Sequence, residues 1–380
     1  MTAVTITAFS ATDHAMMTRA LRLAERGAYT TKPNPMVGCV IADGDAVIAE
    51  GWHAVAGGPH AEIVALQAAG DRARGATVYV TLEPCAHTGK TGPCADALIA
   101  AGVGRVVAAM RDPFPQVDGA GFDALRAAGI AVEHGLMAAA ARHLNHGFLS
   151  RVERKRPWVR VKLATSLDGR TALANGDSKW ISGEASRRDV MHWRARAGAL
   201  LTGAGTVLAD DPQLTVRFDE SASDDSASGE RIAFVPPLRV VLDPGLATVG
   251  RGRIRDGAAP TLYLHSANAK PPRDFGAAHA VVPMRDGLLD LTAVLQLLAA
   301  RGINEVQVEA GATLAGALLR ADLVDEVLLY VAPVLLGADA RPLFDGLHID
   351  EMSQRLRLQT VETRRLGDDL RLLLRPERLA

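Results

Sequence analysis

The sequence predicts a two-domain α/β protein, and three observations support this prediction. The chain has 380 residues, which is too long for one ordinary domain. In both halves, strand-like apolar runs alternate with helical stretches, as is typical of α/β layer folds. Residues 151–156 (RVERKR) are strongly basic and precede Pro157, so we interpret them as a solvated connector rather than a nucleic-acid patch. We therefore expect domains at residues 1–155 and 156–380.

Composition excludes several classes of function. Hydrophobic residues make up 48% and charged residues 22% of the chain, as in an ordinary globular protein. A net charge of −1 argues against a nucleic-acid partner held by bulk positive charge. No apolar run is long enough to span a membrane, and no secretory signal pattern opens the chain. Three cysteines leave no disulfide framework and indicate a reducing compartment, so we expect a cytoplasmic protein with no membrane partner.

The first domain is expected to begin with an amphipathic helix over residues 13–28, with Asp13 as its N-cap. A hairpin around Asp43-Gly44-Asp45 should follow. The other elements predicted for this domain are strands at 37–42, 46–52, 77–82, 105–110 and 130–133 and helices at 60–69, 94–100, 121–128 and 136–148.

Four residues between positions 60 and 94 form a candidate metal centre. The imidazole of His60 and the thiolates of Cys85 and Cys94 suit zinc, and three protein ligands leave the fourth position open for water. Zinc lowers the pKa of that water from ~15.7 towards ~7. Glu62 is not needed as a ligand, which suits a proton carrier. The alternative is a closed structural zinc site, for which His87 is the nearby candidate for a fourth ligand.

The pattern H-x-E with two Pro-Cys pairs is the signature of zinc nucleoside and nucleobase deaminases. Most of these have C-x-x-C, whereas eight residues separate Cys85 from Cys94. The segment TLEPCAHTGKTGPC closely resembles the deaminase domain of the bifunctional riboflavin-biosynthesis deaminase–reductases. This resemblance implies a cytidine-deaminase-like three-layer α/β/α fold with one zinc ion. It also implies substrate contacts at Asn34, His53, His87 and Lys90. Without the resemblance, Asn34 could be a turn residue and His53 a solvated strand end.

The second domain is expected to open with a strand from Trp158 that ends at the turn SLDG. Residues 219–230 are acidic and low in complexity, and we interpret them as a surface insertion without a catalytic role. The segment VDEVLLYVAPVLLG should be a strand buried on both faces, near a subunit contact. The other predicted elements are strands at 199–202, 238–242, 261–265 and 305–308 and helices at 184–197, 291–300 and 313–320.

Glycines in the second domain indicate a phosphate-binding site. Gly203-Ala204-Gly205 resembles the start of a dinucleotide fingerprint, although the third glycine and the acidic residue are missing. The turn from Glu309 to Gly316 would expose backbone N–H groups at a helix N-terminus. Close helix packing would explain Gly316 equally well.

The motifs SLDG, SKW and TVLADDP resemble the reductase half of the same family. This resemblance implies a dihydrofolate-reductase-like α/β fold and NADPH as cofactor. Arg194 and Arg217 suit a 5′-phosphate, since a guanidinium matches phosphate oxygens, although they could be surface arginines. The implied substrate contacts are Lys162, Ser178, Arg194, Leu214, Arg217 and Glu309. The implied cofactor contacts are Ala164, Trp180, Thr206, Asp210, Gly311, Ala312, Thr313, Leu314, Ala315, Gly316 and Ala317.

The resemblance thus implies a bifunctional enzyme of riboflavin synthesis. Zinc-dependent deamination of 2,5-diamino-6-(5-phosphoribosylamino)pyrimidin-4-one would be followed by NADPH-dependent reduction to 5-amino-6-(5-phosphoribitylamino)uracil. A homo-oligomer through the reductase domain is also expected. One alternative is a polynucleotide deaminase, such as a tRNA adenosine deaminase, which the cysteine spacing and the charge disfavour. The other is a non-catalytic zinc- and nucleotide-binding protein, which the presence of Glu62 disfavours.

Overall fold

The chain divides into two compact units, Met1–Arg154 and Lys155–Ala380, each described here by itself. A computed structural model describes residues 9–86, 92–218, 232–250 and 252–377. The predicted insertion at 219–230 and the predicted contacts His87 and Lys90 lie outside the described residues. Within the described ranges, no helix is both long and apolar enough to cross a membrane.

The first unit is a five-stranded sheet with strand order β2-β1-β3-β4-β5. β1 is antiparallel to β2 and β3, and β3, β4 and β5 are parallel. Its elements are α1 (Ala11–Glu25), β1 (Gly38–Asp43), β2 (Ala46–Trp52), α2 (Ala61–Ala69), β3 (Thr77–Val80), α3 (Cys94–Ala101), β4 (Arg105–Ala108), α4 (Ala120–Ala127), β5 (Ala131–His134), α5 (Ala138–Leu144) and α6 (His146–Arg154).

Helices cover both faces of this sheet, which gives the predicted three-layer fold. Successive side chains of a strand point to opposite faces. In β1, Val40 and Ala42 face the core formed with α1, α5 and α6. Cys39 and Ile41 face the core formed with α2, α3 and α4. All four side chains are fully buried, because each face is covered by helices.

The start of α1 differs from the prediction. Ser10, not Asp13, is the N-cap: its Oγ accepts a hydrogen bond from the Asp13 backbone N–H at 3.1 Å. The Asp13 carboxylate accepts in return from the Ser10 N–H at 2.8 Å, which completes a capping box. Asp13 also pairs with Arg105 at 2.7 Å and accepts from the Tyr79 hydroxyl at 2.8 Å. This acidic residue therefore anchors the helix to the sheet.

The end of the first unit also differs from the prediction. Two helices, α5 and α6, replace the single helix expected at 136–148, and α6 continues to Arg154. Phe148 and Val152 lie one turn apart and pack into the core, so the helical pattern runs on through the basic residues. Arg156 in turn binds Asp325 at 2.7 Å. The two units divide within this basic stretch, but it forms the end of α6 and an ion pair and is not a solvated linker.

The second unit is built on a nine-stranded sheet with strand order β11-β10-β9-β8-β14-β6-β15-β18-β17. The strands run in one direction except β18, which is antiparallel to both of its neighbours, β15 and β17. The elements are β6 (Trp158–Ser166), β7 (Arg170–Ala172), α7 (Glu184–Arg196), β8 (Ala199–Gly203), α8 (Ala204–Asp210), β9 (Leu238–Leu242), β10 (Thr261–His265), β11 (Ala278–Val281), β12 (Met284–Arg285), β13 (Leu288–Leu289), α9 (Leu291–Ala300), β14 (Glu305–Val308), α10 (Ala312–Arg320), β15 (Glu326–Ala332), β16 (Arg341–Pro342), β17 (Leu358–Leu366) and β18 (Asp369–Pro376).

The two faces of this sheet differ in chemistry. One face packs α9 and α10 in an aliphatic core, to which Val159, Val161 and Leu163 of β6 contribute. On the other face Arg160 is 1% exposed and pairs with Glu326 at 2.9 Å. β15 is largely buried along its length, in agreement with the prediction for that segment. β6 therefore alternates apolar and charged residues, with Arg160 and Lys162 on its charged face.

Candidate metal centre and ligand cavity

Three side chains of the first unit converge as a metal-binding set. His60 is the N-cap residue of α2, Cys94 is the first residue of α3, and Cys85 lies in the loop after β3. Nδ1 of His60 lies 3.3 Å from Sγ of Cys94 and 3.6 Å from Sγ of Cys85. The ligand atoms all lie within 4.8 Å of one another. One imidazole and two thiolates fit tetrahedral zinc with a position left open, so the residues predicted as ligands are confirmed as the zinc site.

The fold favours the thiolate form that a metal requires. The Cys94 thiol and His60 hold the pKa of Cys85 well below its usual range, although burial opposes this. The backbone N–H of Cys94 also donates to Sγ of Cys85 at 3.3 Å. That N–H belongs to the first turn of α3, where the helix dipole is positive. One thiolate is therefore stabilised by the protein itself.

Glu62 lies in the first turn of α2 and is 3% exposed. Burial raises the pKa of Glu62 to about 7. A carboxyl group that titrates near neutral pH can both take up and release a proton. Its position two residues after His60 places this group beside the metal ligands, as a proton carrier would require.

Asn34 and His53 lie together beside this set. His53 Nδ1 lies 3.0 Å from the carbonyl oxygen of Pro59, so Nδ1 carries the proton and donates. Nε2 then accepts from the Asn34 amide at 3.0 Å. Burial lowers the pKa of His53, which is 3% exposed and therefore no solvated strand end. The rings of His53 and His60 pack edge to face at 5.5 Å.

The sequence reasoning missed Glu83, which organises the loop that carries Cys85. Glu83 is 3% exposed, and its two carboxylate oxygens accept four backbone hydrogen bonds. A side chain on Gly121 would meet the carbonyl oxygen of Pro84 at 2.0 Å, so α4 begins directly against this loop. The only sequence signal is an acidic residue between an apolar strand and Pro84-Cys85. The four donors are the N–H groups of Asp112 at 3.2 Å, Gly119 at 3.1 Å, Gly121 at 3.0 Å and Phe122 at 3.4 Å.

The second unit contains a cavity of about 1420 Å³. It opens at the carboxyl ends of β8, β9 and β14 beside β6, the usual place for a ligand in a parallel sheet. Fifteen of the seventeen residues predicted as contacts in this unit line the cavity: Lys162, Ala164, Ser178, Trp180, Arg194, Thr206, Asp210, Leu214, Arg217, Glu309, Gly311, Ala312, Thr313, Leu314 and Ala317.

Ala315 and Gly316 are the two predicted contacts outside the cavity lining. Both are buried on the packed side of α10. A side chain on Gly316 would meet the carbonyl oxygen of Asp345 at 2.0 Å. Close packing against this backbone therefore explains the glycine, while the start of α10 at Gly311 faces the cavity.

An ion pair forms the polar centre of the cavity. Arg194 binds Glu309 through two hydrogen bonds of 2.7 Å, and Gln307 adds a third donor at 2.8 Å. Burial opposes ionisation of Glu309, but Arg194 and Lys162 hold the pKa of this carboxyl at about 2. The Arg194 side chain is 12% exposed and also donates to the Thr215 carbonyl at 2.9 Å, so it is not a surface arginine.

Positive charge accumulates beside this ion pair. Arg217 donates to Gln213 at 3.0 Å and to Thr215 at 2.7 Å, and Arg253 shares the same Gln213 oxygen at 3.1 Å. Burial lowers the pKa of Arg217, and the charges of Arg194 and Arg253 lower it further. Since Glu309 is already paired with Arg194, Arg217 and Arg253 are suited to bind an anion such as phosphate.

Two helix N-termini also point to an anionic ligand. α8 begins after Gly203 and α10 after Gly311, and both starts line the cavity. Helix N-termini present unpaired N–H groups to phosphates. At the mouth, Trp180 is 72% exposed and Arg187 lies over its ring at 4.8 Å. The volume, the helix starts and the exposed aromatic ring fit a phosphorylated dinucleotide.

Comparisons with known proteins agree with both halves of this description. The cytidine and deoxycytidylate deaminase zinc-binding region matches residues 10–110. The RibD C-terminal domain matches residues 157–372. The riboflavin biosynthesis protein RibD of Escherichia coli is 46% identical over 362 residues, which cover 95% of this chain and 99% of that protein. The chain belongs to the RibD family.

Other RibD proteins match over the same length. RibD of Haemophilus influenzae is 44% identical, covering 97% of this chain and 99% of that protein. A solved structure of Acinetobacter baumannii RibD has a TM-score of 0.86 at 44% identity and covers 97% of this chain and 99% of its own. A Thermotoga maritima structure has a TM-score of 0.83 at 34% identity, with 96% and 99% covered. That protein is described as a diaminohydroxyphosphoribosylaminopyrimidine deaminase/5-amino-6-(5-phosphoribosylamino)uracil reductase.

Membership of the RibD family confirms the predicted fold, an N-terminal deaminase domain followed by a dihydrofolate-reductase-like domain. It also confirms a zinc-binding deaminase site and a reductase domain that uses NAD(P)H. The two alternatives, a polynucleotide deaminase with an appended binding domain and a non-catalytic binding protein, are both wrong.

Proposed function

We propose that this RibD-family chain deaminates a phosphoribosylated diaminopyrimidinone in its first unit and reduces the product in its second. The observation that carries the proposal is the pairing of a zinc site beside buried Glu62 with a separate cavity centred on Lys162 and Glu309. The substrates assigned are those named for the Thermotoga maritima relative. With three free cysteines in the described structure, we place the enzyme in the cytoplasm.

In the first unit, the chain's own groups position the pyrimidine and move protons. Bound zinc would supply a hydroxide nucleophile at neutral pH. Glu62 takes the proton of the attacking water and delivers it to the amino group, which leaves as ammonia. The Asn34 amide donates to His53, and its oxygen, which has no partner among the described residues, can accept a hydrogen bond from the pyrimidine ring. His53 therefore acts by fixing the orientation of Asn34.

In the second unit, the cavity residues bind and polarise the opened ribosyl group. NADPH would supply the hydride that converts C1′ to a methylene group. Lys162, a cation that lines the cavity, donates a hydrogen bond where negative charge develops. Glu309 fixes Arg194 through two hydrogen bonds, while Arg217 binds the 5′-phosphate. The positive end of α10 faces the cofactor phosphates.

We also infer a homo-oligomer through the reductase domain. β17 is the edge strand of the nine-stranded sheet, and eight of its nine residues are exposed. An exposed edge strand of this length presents unpaired backbone groups that a second copy can pair with. Leu358, Val361 and Leu370 add exposed apolar surface to the hairpin. A monomer in light scattering at micromolar concentration would contradict this inference.

One assay tests the two proposed activities together. Purified protein is given the diaminopyrimidinone phosphate, and ammonia release and NADPH oxidation are followed in one sample. We expect ammonia first and NADPH oxidation after a lag, because the reductase requires the deaminated product. tRNA serves as the competing substrate. Ammonia released from tRNA alone, or NADPH oxidation without prior deamination, would contradict the proposed sequence of steps.

A further inference from the structure

Lys162 is a cation in the cavity that lies over an aromatic ring. Burial lowers its pKa, and the Glu309 carboxylate opposes this effect while Arg194 adds to it. Across the part of the chain that the structure describes, no carboxylate lies within ion-pair distance of Lys162, and Glu309 is already bound by Arg194 and Gln307. Nζ of Lys162 lies 5.6 Å from the ring centroid of Tyr330. The ring therefore lies within cation–π range of the ammonium ion.

The sheet register places this ring beneath the lysine. β15 is parallel to β6, with Leu328 opposite Lys162 and Tyr330 opposite Ala164. Tyr330 and Lys162 are therefore diagonal neighbours on the same face of the sheet. Tyr330 is fully buried, so its ring is shielded from solvent, and the ammonium group of Lys162 lies over the ring face.

A buried hydrogen-bond network holds the Tyr330 ring at its hydroxyl end. The Tyr330 hydroxyl donates to Asp189 of α7 at 2.6 Å. The same carboxylate accepts from Arg371 of β18 at 2.8 Å and from the Trp193 indole at 3.1 Å. Arg371 and Asp189 are 5% and 11% exposed, so water competes little for these bonds. The ring therefore has a fixed tilt relative to β6.

We propose that Tyr330 is a positioning residue of the reductase site whose ring face holds the ammonium group of Lys162 in the cavity. A cation within about 6 Å of a ring centroid is attracted by the negative face of the ring. The attraction favours the charged form of Lys162, which burial and Arg194 disfavour. Tyr330 does not line the cavity, so it acts through the lysine and not on the substrate.

This inference rests on the proposed reductase function, because Lys162 matters to catalysis only if the substrate binds in the cavity. The primary measurement is therefore made on Lys162 itself, without substrate or cofactor. The full-length protein carries phenylalanine or its mono-, di- or trifluorinated analogues at position 330. The pH midpoint for acetylation of Lys162 is then determined by mass spectrometry. The series keeps the shape of the ring while weakening its negative face.

We expect the midpoint to fall stepwise by roughly one pH unit in total, the size of a partly desolvated cation–π contact. Reductase kcat/KM should fall in parallel by roughly tenfold, whereas ammonia release in the other unit should not change. A flat midpoint across the series would overturn the proposal. A falling midpoint in a protein that never oxidises NADPH would support the role of the ring while contradicting the proposed function.

Tyr263 provides a matched control. It is also fully buried on the same sheet, but its ring packs against Phe275 at 5.1 Å, and no lysine of the described residues lies over it. The same fluorinated series at position 263 should leave the Lys162 midpoint unchanged. An equal shift at both positions would overturn the proposal, since it would reflect general destabilisation. Both Tyr330→Phe and Tyr330→Leu remove the hydrogen bond to Asp189, but only Tyr330→Leu also removes the ring. Reductase kcat/KM should therefore fall less in Tyr330→Phe than in Tyr330→Leu. Equal losses would assign the effect to the hydrogen bond with Asp189 and not to the ring.

Discussion

The zinc centre and the cavity of the second unit are encoded in different ways. His60, Glu62, Cys85 and Cys94 lie within one segment, and each contributes a side-chain atom that no other residue type replaces easily. The cavity is lined by residues between Lys162 and Asp345, many of them contributing backbone N–H groups or small side chains. A metal centre therefore depends on residue types, whereas a dinucleotide cavity depends on where the strands end. Substitutions of the metal ligands should accordingly be all-or-none, and substitutions in the cavity of the second unit should be graded.

The largest expected effect is the loss of zinc. Cys94→Ser should remove the metal and all deamination, because a hydroxyl is a much poorer zinc ligand than a thiolate. Cys85→Ser should behave in the same way. Metal content and ammonia release are measured together, and NADPH oxidation is measured with pre-deaminated substrate. The reductase should stay active in both variants. Its loss along with zinc would mean that the two units depend on each other for folding.

The next largest effect separates chemistry from metal binding. Glu62→Gln keeps the size of the side chain but cannot carry a proton, so deamination should fall by ~10²–10⁴-fold. Zinc should remain bound, because the three ligands are unchanged. Elemental analysis and ammonia release decide between the roles. Near-normal ammonia release would exclude Glu62 as the proton carrier, and a loss of zinc would make it a structural residue.

A graded effect is expected in the second unit, where the reductase should prefer NADPH to NADH. A hydrogen bond to a charged group contributes about 1.5–3 kcal/mol, so the preference in kcat/KM should be roughly ten- to a hundredfold. The sequence offers Arg170 and the Arg251–Arg255 cluster as candidates to bind the 2′-phosphate of NADPH. Of these, Arg253 lines the cavity, whereas Arg170 and Arg255 donate to backbone carbonyls. Arg251 lies outside the described residues.

Arg253→Ala tests this assignment directly. If Arg253 binds the 2′-phosphate, the variant should raise KM for NADPH and leave KM for NADH unchanged. Arg255→Ala is the matched control, since its guanidinium binds the Phe275 carbonyl. A rise in KM for the pyrimidine phosphate alone would place Arg253 beside Arg217 in the substrate site. Equal kcat/KM values for NADPH and NADH in the unaltered enzyme would reject the predicted preference.

The sequence predicted the structure well where a single side chain or a short local pattern of apolar residues determines it. Strands 238–242, 261–265 and 305–308 were predicted with the bounds observed, since each is a short run containing Val, Leu or Tyr between turns. The hairpin of β17 and β18 was missed, because β17 has the polar sequence LQTVETRRL without an apolar face. The exclusion of Gly316 from the cavity depends on the backbone of Asp345, which is distant in sequence. Contacts of that kind exist only after folding.

The smallest change in a measured rate is expected at Glu83, where the metal centre itself depends on tertiary structure. Glu83→Gln keeps one carbonyl oxygen but replaces the other acceptor with an amide donor, which faces N–H groups of residues 112 and 119. Leaving such buried donors unsatisfied costs about 1–3 kcal/mol each, so the first unit should unfold at lower urea concentration. Cys85 follows two residues later, so zinc should also dissociate a few-fold faster when a chelator is added. The control is Glu133→Gln, which alters a half-buried ion pair with Arg105 and should not change this rate. The contrary outcome is a less stable Glu83→Gln variant that loses zinc as slowly as the unaltered protein. In that case α3, through the N–H group of Cys94, would alone hold the loop that carries Cys85. The geometry of the zinc centre would then depend on the residues of its sequence motif and not on distant contacts.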